Sequence, residues 1–212
     1  EVKAEVGFDL KYNITSNLTL DVTLNTDFAQ VEADDQQLNL TRFSLSFPEK
    51  RQFFQQRSGL FDFNFGNTRV FYSRRIGLDS SGNQVRILGG ARLTGKINDL
   101  DIGFINLQTG QSDEIDSENF NVLRVKKNVL NTASYVGGIF TSRLGVNGSS
   151  NIAMGLDGDF NIFGDDFIEV RVSQTIDNSV SEENRFDFED NSIFRLTWQR
   201  RASIGWFYRF FV

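Results

Sequence analysis

No cysteine and no histidine occur among the 212 residues. Without cysteine there is no thiol catalysis, disulfide or thiolate metal site. Without histidine there is no Ser-His-Asp triad, His-ligated zinc or imidazole acid–base chemistry. No cofactor is expected, since no phosphate-binding loop precedes a helix, and no metal, since the acidic run Asp113-Glu114-Ile115-Asp116, though rich in oxygen ligands that suit a divalent cation, lacks the EF-hand pattern. No apolar run approaches the ~18 residues of a membrane-spanning helix. A β-barrel stays open as a reading, because its strands are only half apolar. The 22 Lys and Arg against 28 Asp and Glu leave a net charge of −6, which argues against a general nucleic-acid binder. No basic-then-apolar leader stands at Glu1, so the chain is expected to be a processed product or an excised piece.

What the chain does have is 22 Phe, 18 Gly and a period of two. Leu18, Leu20, Val22 and Leu24 alternate with Thr19, Asp21, Thr23 and Asn25. Ile152–Ile162 and the run Ile168, Val170, Val172 repeat the pattern. The period predicts twelve strands, at about 2–14, 18–28, 38–47, 69–77, 85–97, 100–108, 120–128, 134–143, 152–163, 167–176, 192–199 and 202–212. Several exceed the ~5–6 residues common in soluble sheets and match the ~9–11 of a tilted bilayer-crossing strand. Short turns (Ser16-Asn17, Asn98-Asp99, Gly164-Asp165) alternate with long acidic loops. The expected fold is all-β, an antiparallel up-and-down transmembrane β-barrel of about twelve strands, one domain over residues 1–212 or part of a larger barrel. An insertion at 48–68, on the short-turn side or folded into the lumen, is expected to open with a short helix over Pro48–Arg57, capped near Gly59.

With the polar strand faces turned to the lumen, ten basic residues (Lys3, Lys11, Arg86, Arg92, Lys96, Arg124, Lys126, Arg171, Arg195, Arg209) meet six acidic ones (Glu5, Asp9, Asp21, Asp157, Asp159, Glu169). Two readings follow: opposite charges pair across strands and fill the interior, or the basic excess lines an anionic pathway. Candidates for a lumenal ion pathway are Arg42, Arg74, Arg75, Arg92, Lys96, Arg124, Lys126, Asp157, Asp159, Glu169 and Arg171. Asp157 and Asp159 share one face and have the residue type of a glycosidase pair, but pairing with Arg171 or another base is the simpler role. No catalytic residue and no enzyme activity are expected. Aromatics near strand ends, among them Tyr12, Phe47, Tyr135, Phe163, Phe167 and Trp198, suit a bilayer-boundary belt. Ser203–Phe210 has the alternation of a terminal strand read by outer-membrane assembly machinery.

Four segments carry a family resemblance: Phe28–Asp34, Asn39–Phe43, Phe47–Phe54 and Phe71–Gly77, with Phe-Pro-Glu-Lys-Arg at 47–51 the most specific. They resemble an uncharacterised family of Gram-negative outer-membrane barrels that commonly follow a module resembling family-nine carbohydrate-binding domains. The resemblance implies a bacterial outer-membrane location, contact with the bilayer, lipopolysaccharide and the assembly machinery, and a channel, transport or surface-anchoring role linked to glycan or nutrient handling. It supplies no catalytic residue. The carbohydrate-binding module is missing from this chain, and family barrels usually run longer. The alternative is a soluble all-β glycan-binding module.

Overall fold

The computed structural model describes residues 6–26, 49–79, 84–112, 115–179, 187–202 and 204–212. Among them, ten strands form one antiparallel sheet in sequence order. They are β1 (Phe8–Thr15), β2 (Leu18–Thr26), β3 (Ile87–Ile97), β4 (Leu100–Thr109), β5 (Glu118–Asn128), β6 (Tyr135–Gly145), β7 (Ser150–Phe163), β8 (Asp166–Asp177), β9 (Ser192–Arg200) and β10 (Arg209–Phe211). Tight turns close where the chain supplies residues that tolerate left-handed backbone: Asn98 has φ 56° and Gly164 φ 52°. The sheet is not closed: β1 and β10 are its two edges.

Two expected strands need comment. The 38–47 segment lies outside the described residues. The 69–77 segment is not a strand; it carries a 3-10 turn at Ser73–Arg75. The reason is pairing: β2 bonds directly to β3, from Leu18↔Gly95 to Thr26↔Ile87, so no edge between them is left for another strand. β2 ends at Thr26 and β3 begins at Ile87, both at the end of the sheet opposite the tight turns. The 202–212 run narrows to β10, after a left-handed Gly205 (φ 97°). The expected helix over 48–57 shrinks to α1 (Gln52–Gln55), because Arg57 turns left-handed (φ 51°) before the 3-10 turn at Ser58–Leu60.

Register sorts the side chains into two faces. On one, Tyr12, Leu20, Leu93, Phe104, Leu123, Phe140 and Met154 stand opposite one another in turn across seven strands. This face is apolar and open to its surroundings: Tyr12 is 60% exposed and Leu156 66%. The other face is polar at both ends and apolar in the middle. There Ile87, Ile105, Leu107, Val122 and Ile139 pack with Phe54, Phe61, Phe63, Phe65 and Ile76 of the 49–79 segment into the core. The hydrophobic core thus lies between the sheet's polar face and an insertion folded onto it.

Candidate functional site

Phe61, Phe63 and Phe65 alternate, so one side of this short stretch carries all three rings. Backbone bonds from Val70 to the Phe63 carbonyl and from Phe65 to the Thr68 carbonyl fold it back as a narrow loop. The rings need room at the wall, and glycines supply it. A Cβ on Gly103 would lie 2.6 Å from Phe61 Cζ, and one on Gly155 would lie 2.7 Å from Phe63 Cζ. Phe63 is 1% exposed and meets Phe65 edge-on at 5.7 Å. Burial of each such ring contributes about 1.5–3 kcal/mol.

The wall's basic side chains hold the insertion by its main chain. Arg92 Nη1 donates to the Phe53 carbonyl (2.5 Å), Arg124 Nε to that of Leu60 (3.2 Å) and Arg171 Nη1 to that of Asn64 (2.5 Å). Lys11 Nζ reaches Gln56 Oε1 at 2.6 Å. Arg124 also grips Asp157 with two parallel bonds, 2.8 and 2.5 Å, and Tyr135 donates its hydroxyl to the same carboxylate at 3.2 Å. The Arg124 and Asp157 side chains are 0% and 1% exposed. A planar fork meeting a carboxylate in this way fixes direction as well as distance.

The insertion is also clamped on itself. Arg51 Nε and Nη2 bond the two Glu49 carboxylate oxygens at 2.9 Å, and Ser73 Oγ donates to Oε2 at 2.6 Å. Arg51 also donates to the Ile76 and Ser73 carbonyls, both at 2.7 Å. Burial alone would raise the Glu49 carboxyl; hydrogen bonds from Arg51 and Ser73 outweigh it and hold the group below its ordinary 4.5. A lowered folded value means that the clamp contributes fully above the ordinary value and is lost as pH falls through the lowered one. Hydrogen exchange across 49–79, corrected for intrinsic rate, is therefore expected to be flat from neutral pH to about 4.5 and to quicken only below it. Glu49→Gln is expected to exchange faster at neutral pH and to lose the acid step; an acid step unchanged in that variant would contradict this assignment. Beside the clamp, a cavity of about 540 Å³ is lined by Glu49, Phe61, Arg69, Phe71, Tyr72 and Ile105.

The candidate residues divide into groups. Arg92, Arg124 and Arg171 hold the insertion, and Asp157 holds Arg124. Glu169 pairs with Arg171 at 2.9 Å, and Arg201 bridges Asp159 (2.8 Å) and Glu169 (3.4 Å). Lys126 lies over the Tyr135 ring at 4.6 Å. Lys96 is apart, paired with Asp101 at 3.5 Å. Arg74 and Arg75 belong to the insertion's 3-10 turn, not to a strand wall. Arg42 lies outside the described residues. Glu49, Arg51, Ser73, Tyr135, Arg201 and the two seat glycines were missing from the candidates. The Phe-x-Phe-x-Phe pattern at 61–65 was the available signal for the seats. Asp157 is engaged by Arg124 and Asp159 by Arg201, so these carboxylates position and pack.

Residues 1–101 match the family model of a domain of unknown function (DUF5916). The match takes in β1, β2, the insertion and β3 and stops at the start of β4. No curated protein and no solved structure matches the chain.

Proposed function

We propose that the chain is a plugged β-barrel domain, or part of one, in a bacterial outer membrane, with the insertion as its plug and a transport or anchoring role. One observation carries this reading: the apolar face of the sheet is the open one, while the core fills the polar face. A soluble sandwich does the reverse and buries its apolar face under a second sheet; among the described residues no second sheet covers this one. Strand lengths of 10–14 residues from β3 to β8 suit a bilayer crossing. Trp198, Tyr208 and Phe210 cluster at the tight-turn end, with ring centroids 5.6–6.0 Å apart, as a boundary belt requires. Closure would bring β1 to β10 or to further strands, because an open edge is not tolerated in lipid. Lipid and lipopolysaccharide would then meet the apolar face, and the assembly machinery would insert it. The link to glycan or nutrient handling rests on the family resemblance alone.

Leu156→Arg tests the reading. Leu156 is mid-strand on the apolar face, where a charge at the bilayer centre costs ~2–4 kcal/mol. Folding into lipid vesicles, followed against urea, is expected to weaken by that amount. A change near zero, or a wild-type chain that stays a folded monomer in water without detergent, would contradict a membrane barrel.

A further inference from the structure

The open face of the sheet is not apolar throughout. Two residues beyond Phe104, Leu123 and Phe140, towards the end opposite the tight turns, register lines up Asn106, Asn121 and Ser142 on β4, β5 and β6. Gln108 and Asn119 stand in the next row. Along the first row the neighbours are apolar on both sides: Val22 and Ala91 towards β2, Ile152 and Ile176 towards β8. The polar groups are therefore an island within an apolar face. They bond one another. Asn106 Nδ2 donates to Oδ1 of Asn121 (2.7 Å) and of Asn119 (3.2 Å). Asn121 Nδ2 donates to Ser142 Oγ (3.2 Å), and Asn119 Nδ2 to Gln108 Oε1 (3.0 Å). Capacity is left over: among the described residues, Asn106 Oδ1 accepts no hydrogen bond and the Ser142 hydroxyl donates none.

We propose that this island is the contact surface for a second copy of the chain, the β4–β6 face of one copy lying against the same face of the other across a two-fold axis. The inference rests on the membrane reading, which turns this face to lipid. Hydrocarbon offers amides and hydroxyls no partner, and polar side chains that face lipid associate with one another for that reason. A two-fold contact sets a patch against itself, so the patch must be self-complementary. Amides and hydroxyls meet that condition, because each both donates and accepts. The axis brings the spare acceptor of one copy among the spare donors of the other. The island itself carries no charge, so the contact buries none. Asp116, just before β5, brings like charge towards the axis, so association is expected to tighten as salt screens it. Weakening by salt would mean that ion pairs, not amides, hold the copies.

Detergent-folded wild type is expected to sediment as a dimer that dissociates on dilution. Asn106→Leu/Asn121→Leu is expected to dissociate at roughly tenfold higher concentration, the effect of losing about two hydrogen bonds. Wild type that is monomeric at every concentration, or a variant that dimerises as tightly, would overturn the proposal. Cysteine probes in the cysteine-free chain keep every amide and decide the matter if that variant misfolds. Leu123 on β5, beside the island, and Phe194 on β9 are both exposed on the open face. In vesicles, a short bifunctional maleimide is expected to link copies of Leu123→Cys roughly tenfold faster than copies of Phe194→Cys, because the dimer holds the first pair at high effective concentration. Equal rates would overturn the contact. A chain that is monomeric in detergent yet weakened in lipid by Leu156→Arg would keep the membrane reading and remove the dimer; a chain that folds as a monomer in water would remove both.

Discussion

Arg124→Met is expected to destabilise the folded chain by about 3–5 kcal/mol, the usual cost of removing one partner from a buried ion pair. The guanidinium serves three partners at once: both oxygens of Asp157 and the carbonyl of Leu60. Its loss strands Asp157 at 1% side-chain exposure with, among the described residues, only the Tyr135 hydroxyl as a donor. It also frees the main chain of the insertion at Leu60. Arg124→Met/Asp157→Leu is expected to recover much of the loss, since an apolar pair of similar volume avoids the uncompensated charge. Denaturant titration of the three variants in detergent measures both effects. A loss no larger than that of an exposed salt bridge, up to ~1 kcal/mol, would mean that the pair does not anchor the insertion.

Phe63→Ala is the second large effect. The ring is the most buried of the insertion's aromatics and sits where the missing Gly155 side chain leaves space. Truncation is expected to cost about 3–5 kcal/mol, the range for Phe→Ala in a core that collapses only partly. Gly155→Val on its own drives two methyl groups into the ring and is expected to cost ~1–3 kcal/mol by overpacking. In the double variant the new side chain occupies the vacated volume, so the two changes are expected to couple favourably. Additive losses would show that Phe63 and Gly155 do not form one seat.

The local half of this architecture was legible. Alternation places β7 and β8 within a residue or two of where they fold, because each residue type on the strand reports its own face. The same logic put Asp157 and Asp159 on one face and anticipated arginine partners. Which arginine could not be read: Arg124 stands two strands away from Asp157, and strand order beyond neighbours is not encoded in a period of two. The insertion failed for a related reason. Phe71 and Tyr72 look like strand residues, and only the direct β2–β3 pairing shows that no edge receives them. Gly103 and Gly155 read as weak points in strands; their use appears only once Phe61 and Phe63 are seated on them. The apolar centre of the polar face, at Ile105, Leu107, Val122 and Ile139, was hidden in plain alternation because the insertion makes that face a core.

The most direct test of the central claim is nitroxide accessibility along β7. Single cysteines at positions 152–162, spin-labelled after folding into lipid vesicles, report collision with oxygen, which concentrates in the bilayer, and with a water-soluble nickel chelate. The account predicts a period of two: oxygen-rich labels at Ile152, Met154, Leu156 and Phe160, and labels shielded from oxygen at Ala153, Gly155 and Asp157 beneath the insertion. Nickel accessibility at Met154 and Leu156 would place the apolar face in water and contradict the account.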